Sequence, residues 1–275
     1  MLTVVTSPRR CTVREGLGAS AHLRQARELF VPDMFIGQST VVLVQCGRKT
    51  VFGGAEQWTA ETGEIILLPP GASYGVTNQL HSTAPYEATS LMFDPALIAA
   101  GPGREPGFAP LNRPRVLRAP GHGLAQAMAR ARALWMDTAT PDLIARHAAL
   151  EVLAWLAVQG SHFAPATQPS FTERLRGLLV AAPAQPWNAM SAAAALNISE
   201  ATLRRRLARE ALTMSGLLLE VRLCSAMMLL QASDDYIGQV ALDSGFANHA
   251  HFSRLFKTRF GITPSQLRDP EHAAA

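Results

Sequence analysis

One helical pattern is written twice between Ser191 and Phe260, and this repetition constrains the fold more than any other feature of the chain. Ser191 to Leu196 is an Ala-rich helix, Asn197-Ile198 make a turn, and Ser199 is placed to cap a new helix over 200–210. Asn tolerates the left-handed backbone that a tight helix–helix turn needs. In the new helix Leu203 and Leu207 share one face, Thr202, Arg205 and Arg209 point the other way, and Arg204 and Arg206 flank them. The plan then recurs. Ile237 to Leu242 reads as a helix, Ser244-Gly245-Phe246 as the turn, and His249 to Phe260 as a second outward helix. Phe252 and Phe256 stand 49 residues after Leu203 and Leu207, Arg254 matches Arg205, and His251 matches Thr202. The first helices align at an offset of 48, Ala193 with Ala241, so the second turn is longer by one residue. Ser215 to Gln231 is apolar, carries no Pro, and reads as one helix joining the two units.

Arginines on an exposed helix face are ordinarily solvated surface. Two copies in the same order, each with its own turn and basic outer face, point instead to a pair of helices built for a DNA major groove. Charge alone does not decide the matter. The net charge is +4, and residues 171–275 hold 11 Lys and Arg against 9 Asp and Glu, so the local arrangement carries the argument.

The rest of the chain differs in kind. Up to about Asp94 it reads as β, with Val41 to Val44, Lys49 to Phe52 and Ile65 to Leu68 as apolar runs between Gly53-Gly54 and Pro69-Pro70-Gly71 punctuation. Such short strands predict a small barrel or sandwich. Residues 101–120 are rich in Pro, Gly and Arg and read as a connecting loop. Leu124 to Met136 and Pro141 to Val158 read as helices, the second opening on Pro in its first turn and carrying an apolar stripe of Leu143, Ala149, Leu150, Leu153, Leu156 and Ala157. The stripe fits an intramolecular core first and a dimer seam second. The expected architecture is an α+β chain of two domains: a β-barrel with trailing helices over 1–160, a linker over 161–170, and an all-α domain with two helix-turn-helix units over 171–268.

Composition narrows the function classes. Cys11, Cys46 and Cys224 are scattered without metal spacing, which argues against a disulfide framework or zinc site. No uninterrupted apolar run reaches the ~20 residues of a membrane helix, and Met1 to Cys11 lacks the apolar centre of a signal peptide. The expectation is a cytoplasmic, nucleoid-associated protein with no membrane partner.

The segments LRRRLARE (203–210), VRLCSAMMLL (221–230) and IGQVALDSGFANHAHFSRLFKTRFGITPSQLR (237–268) resemble the C-terminal domain of AraC/XylS-type bacterial transcription regulators. One departure is Ala211, where the first outward helix of the family ends at Gly. The resemblance implies a domain that spans two successive major-groove segments of double-stranded DNA. It places Ala201, Arg204 and Arg205 at base edges from the first helix, and Ala250, His251 and Arg254 from the second, with His249 close by. Arginine binds guanine O6 and N7 bidentately, which favours Arg205 and Arg254 as readers. Arg206, Arg209 and Lys257 fit phosphate, and His251 fits a solvent-facing histidine equally well. The family also implies contact with RNA polymerase, activation more often than repression, a homodimer, and a small-molecule effector at the N-terminal half.

That half carries Gly63, Pro69, Gly71 and Asn78 at the spacing of the second cupin motif, and is therefore cupin-like. Tyr74 stands where the cupin's metal-binding His belongs, and the first motif, with its paired His, is missing. The set is too poor in imidazoles for the usual metal, so no metal, cofactor or catalytic residue is expected. Phe52, Trp58, Tyr74 and Phe93 are candidate pocket walls, each also readable as ordinary core. A metal-dependent cupin enzyme fused to a helical domain is the alternative, and a regulator without any effector a third reading.

Overall fold

The computed structural model describes residues 11–82, 84–102, 110–164, 170–233 and 235–268. The chain divides into two compact units between residues 167 and 168, residues 232–234 aside.

The first unit opens with nine strands: β1 (Cys11–Arg14), β2 (Gly18–Gln25), β3 (Leu29–Phe35), β4 (Ser39–Cys46), β5 (Arg48–Gly53), β6 (Glu56–Glu61), β7 (Ile65–Leu68), β8 (Ser73–Gln79) and β9 (Tyr86–Phe93). There follow α1 (Pro95–Ala100), β10 (Arg115–Leu117), α2 (Gly121–Met136) and α3 (Asp142–Val158). The paired strands all run antiparallel, and an isolated parallel bridge joins Leu111 to Phe163. One sheet runs β1-β2-β9-β4-β7-β10 and the other β3-β8-β5-β6. The two enclose a common core, with Val42 and Val44 of β4, Ile66 and Leu68 of β7 and Ala88 of β9 meeting Val51, Ala60 and Val76 of the smaller sheet. This is the arrangement of a flattened barrel.

Strand period decides what the larger sheet does with its other face. Val41, Ile65, Leu67, Leu91 and Phe93 point away from the barrel into a second core built with α1, α2 and α3. Trp135 anchors that core: its indole N–H donates to the Ala145 carbonyl at 3.1 Å, and its ring meets Phe93 edge to face at 5.9 Å. β7 is thus buried on both sides, which explains four consecutive aliphatic residues at 65–68.

Three expectations are corrected here. The run 101–120 is not all loop: Arg115–Leu117 pairs antiparallel with Ile65–Leu67 and closes the sheet edge. Residues 103–109 of that run lie outside the described residues. Pro141 sits at the N-cap and the helix begins at Asp142. The α3 stripe also turns: Ala145, Ala148, Ala149, Val152, Leu153 and Leu156 are buried while Leu143 is 64% exposed. At about 100° per residue, Leu143 lies about 200° from Ala145, off the packed face.

The second unit is helical: α4 (Phe171–Ala181), α5 (Ala189–Ala195), α6 (Glu200–Arg209), α7 (Met214–Ala232), α8 (Ile237–Asp243), α9 (His249–Phe260) and α10 (Pro264–Arg268). Leu175 and Leu179 of α4, Ala192 and Ala193 of α5, Leu203 and Leu207 of α6, and Leu217, Leu218 and Val221 of α7 form one core. Further along α7 the buried residues are Leu223, Ala226, Met227 and Leu230, which fall on the opposite face of the helix. α7 therefore buries one side in its first half and the other in its second. It is long and apolar enough by length and hydropathy to cross a membrane. Glu220 and Arg222 interrupt it, however, and both bond within this unit.

Candidate nucleic-acid interface

Each helix-turn-helix corner is built by the same hydrogen bonds from different residues. In the first, Asn197 takes φ 55°, its N–H donates to the Ala194 carbonyl at 3.0 Å, and the Ile198 N–H reaches back to Ala193 at 3.0 Å. This pair of bonds is a Schellman close, which satisfies carbonyls that α5 would otherwise leave orphaned. In the second, Gly245 takes φ 87°, its N–H donates to Leu242 at 2.8 Å, and Phe246 reaches back to Ala241 at 2.8 Å. Ser199 then caps α6, accepting from the Thr202 N–H at 3.2 Å, and Asn248 caps α9, accepting from the His251 N–H at 2.9 Å. The cap stands two positions after the corner in the first helix-turn-helix and three after it in the second, the one-residue difference that the sequence offset predicts.

These joints aim α6 and α9. Leu203 and Leu207 are buried, as are Phe252, Phe256 and Phe260, which stack in a ladder with centroids 5.5 and 4.7 Å apart. The opposite faces are open. Ala201, Arg204, Arg205, Arg206 and Arg209 of α6 are exposed, as are His249, Ala250, His251, Arg254 and Lys257 of α9; Thr202 is half-buried, its hydroxyl 2.9 Å from that of Ser199. Arg205 stands about 200° round the helix from Leu203, and Arg254 bears the same relation to Phe252.

The exposed cations are not equally free. Arg204 is held by Glu200 one turn earlier, with Nη2 2.6 Å from Oε1. Arg206 lies over the Phe171 ring at 4.9 Å. Arg254 Nη2 lies 3.1 Å from His251 Nδ1, which brings the two matched side chains of α9 together. Among the described residues Arg205, Arg209 and Lys257 hold no ion pair. The basic residues of the last turns, Arg206 and Arg209 in α6 and Lys257 and Arg259 in α9, also complement the helix dipole.

Sequence reasoning passed over Asn248, Glu200 and Phe171. Asn248 was legible, since an Asn directly before a helix start is a capping signal, and so was Glu200, four residues before Arg204. The Phe171–Arg206 contact joins positions 35 residues apart and leaves no local mark.

The four candidate pocket residues do not share one space. Trp58 and Tyr74 meet edge to face at 6.1 Å inside the barrel. Phe52 lies on the outer side of its sheet beside Phe30, centroids 6.1 Å apart, because Val51 takes the inward place. Phe93 belongs to the core on the other face of the larger sheet. Sequence reasoning took Asn78 only as a motif position and passed over its buried partners Lys49 and Gln25. Buried Lys49 donates to Asn78 Oδ1 at 2.9 Å, and Asn78 Nδ2 donates to Gln25 Oε1 at 3.0 Å. Burial lowers the Lys49 ammonium to about 8. Among the described residues no group of three His, Cys, Asp or Glu is placed to hold a metal ion.

The second unit is thus a tandem helix-turn-helix domain with two outward, arginine-bearing helices. Residues 192–269 match a family described as a helix-turn-helix domain. The chain is 33% identical over 98 residues to the transcriptional activator FapR of Escherichia coli, covering 36% of this chain and 38% of that protein. It is 36% identical over 91 residues to the urease operon transcriptional activator of Escherichia coli, covering 33% and 31%. The match therefore spans less than two fifths of these relatives' length. Among solved structures, an apo form of ToxT from Vibrio cholerae is similar over 93% of this chain and 97% of that one, with TM-score 0.64 and 13% identity. Wild-type ToxT bound to an unsaturated fatty acid is similar over 90% and 92%, with TM-score 0.59 and 14% identity. At such identities the likeness is one of fold. The helical unit thus resembles the helix-turn-helix domain of bacterial transcriptional activators.

Proposed function

We propose that this chain is a sequence-specific transcription regulator, an activator, that reads double-stranded DNA with α6 and α9. The observation that carries this reading is the pairing of Arg205 and Arg254: both are exposed, both stand opposite a buried residue of their own helix, and both helices follow a capped, tight corner. Each helix would enter one of two successive major-groove segments, about 34–36 Å apart along one face of the duplex. Arg205 and Arg254, with Arg204 and His251, would meet base edges, Ala201, His249 and Ala250 would lie against them, and Arg206, Arg209 and Lys257 would hold phosphate. A DNA target places the protein in the cytoplasm with the nucleoid, and activation calls for contact with RNA polymerase.

Two further roles are assigned to the first unit. Ile144, Trp155 and Val158 are exposed on one side of α3, with the Glu151–Arg130 ion pair between them, which supports a homodimer through this helix. The likeness in fold to a ToxT that binds an unsaturated fatty acid supports a small-molecule effector. An effector acts only by binding one arrangement of the protein better than another. The enzyme alternative lacks its donors, since Tyr74 packs against Trp58 at the position of the cupin's His.

The test is selection of binding sites from a random duplex pool with the full chain, followed by titration of variants. Arg205→Ala and Arg254→Ala are each expected to cost about 1–3 kcal/mol and to relax preference at one segment only. Lys257→Ala should weaken all sequences alike and lower the salt slope by about 1. Uniform weakening by Arg205→Ala and Arg254→Ala would remove the base-reading roles. Equal affinity of the fragment 170–275 and the full chain would remove the dimer.

A further inference from the structure

Two reading helices recognise a composite site only if something fixes their separation and angle. α7 spans both units, but a rod alone leaves its two ends free to turn. The structure provides a fixed point at the middle of that rod. Arg222, half-buried on α7, donates from Nε to the Pro183 carbonyl at 2.9 Å and from Nη2 to the Gln185 carbonyl at 2.8 Å. Both carbonyls lie in the loop that delivers α5, the first helix of the first helix-turn-helix unit. That loop is itself stiffened, since the Trp187 indole N–H donates to Ala182 at 2.8 Å and the Trp187 main-chain N–H to Gln185 at 2.8 Å.

The second unit closes on the same point. A Cβ placed on Gly245, the corner of that unit, would stand 2.5 Å from the Pro183 oxygen and 2.6 Å from Arg222 Nε. Three segments distant in sequence therefore meet here: the loop before α5, the centre of α7 and the corner before α9. Each segment is held by a feature that few residues supply. The planar fork of Arg reaches two carbonyls at once, where a Lys offers a single point of charge. Only a residue without a side chain fits the corner, which is left-handed as well as crowded.

From this geometry we propose that Arg222 is a positioning residue that sets the separation of α6 and α9, and so the spacing between DNA segments that the chain accepts. The proposal rests on the reading that both helices contact DNA.

The experiment uses the full chain and the two-segment duplex recovered by selection. Binding is measured at low salt, where single segments are also measurable. The panel holds the selected duplex, duplexes with one base pair inserted or deleted between the segments, and duplexes carrying either segment alone. The wild-type chain should reject the altered spacings. Arg222→Met should bind the selected duplex about tenfold or more weakly, because the second contact no longer falls at high effective concentration, and should lose the preference for spacing. Its affinity for either single segment should stay within about threefold of wild type, since each helix keeps its own cap and core. Arg222→Lys, which keeps charge and length, should fall between the two and carries the same test if Arg222→Met does not fold. Retention of the wild-type spacing preference in both variants would overturn the proposal. So would an equal loss on single and double segments, the mark of a general structural role. If wild type itself shows no spacing preference, the proposal falls together with the two-helix reading on which it rests.

Discussion

In the first helix-turn-helix unit the left-handed corners are Asn197 and Ala211, both at φ 55°; in the second they are Gly245 and Gly261, at φ 87° and 78°. Three of these corners share their hydrogen bonds; at Gly261 the N–H instead donates to the Lys257 carbonyl at 2.8 Å. After α6 the Ala211 N–H donates to Ala208 at 3.1 Å and the Leu212 N–H to Leu207 at 2.9 Å, the same Schellman close that ends α5. What differs is the cost and the room. An Ala in the left-handed region costs roughly 1–2 kcal/mol, which Gly does not pay. Around Gly245, conversely, there is no space for any side chain. The cores differ in the same sense: Leu203 and Leu207 against α4, α5 and α7 in one, a ladder of Phe246, Phe252, Phe256 and Phe260 in the other. The second unit is locked by shape at Gly245, while the first holds a strained corner at Ala211 that nothing nearby demands. A fold can thus duplicate a geometry while distributing its tolerance to mutation unequally.

The largest effect that would test this contrast is in the cores. Phe256→Ala removes a fully buried ring and two ring contacts, and should cost about 3–5 kcal/mol. Leu207→Ala, drawn from a range of about 2–5 kcal/mol, should cost less, because fewer atoms leave. Urea denaturation followed by the loss of helical circular dichroism compares the two. A larger loss for Leu207→Ala would mean that the aliphatic core, not the ladder, is the better packed.

The corners come next in size. Gly245→Ala adds a left-handed penalty of roughly 1–2 kcal/mol to a steric one of about 1–3. Asn197→Ala should cost under about 1 kcal/mol, since Asn is only moderately better than Ala in that conformation. Thermal melting of both variants sets them side by side. Equal shifts would show that the Pro183 and Arg222 contacts give way freely, and the claim of a locked second corner would fail.

How far these features were legible depended on whether their causes were local. The spacing of Leu203 and Leu207, and of Phe252 and Phe256, is a helical period, and the bounds of α9 followed from it. α1 left a local mark as well, Asp94 ahead of Pro95, where the Asp94 carboxylate accepts from the Ala96 N–H at 2.8 Å, but six residues carry too little period to stand out. β10 left none, because three residues in a Pro-rich run become a strand only by pairing with β7. The two readings of Phe93, core or pocket wall, stayed open for a related reason. When both faces of a sheet are buried, apolar character does not say which way Phe93 points, and the answer depends on helices laid over the sheet from later in the chain. Arg222 is the extreme case, since its partners are main-chain carbonyls 37 and 39 residues away, invisible to any pattern of side chains.

The smallest effect is a gain. Ala211 keeps a left-handed backbone although the bonds it completes would be the same with Gly. Ala211→Gly relieves roughly 1–2 kcal/mol of strain in the folded state. It also frees the unfolded chain, which returns about 0.4–1 kcal/mol of that gain. The balance is a stabilisation of about 0.5–1 kcal/mol, equivalent to a rise of a few degrees in the melting temperature of a unit of about 100 residues. DNA affinity should not fall, because Arg205 and Arg209 lie before the corner and α6 keeps its cap at Ser199. A lower melting temperature would show that the methyl group of Ala211 packs to more effect than its backbone costs. The first unit's corner would then be as specific to its residue as the second's.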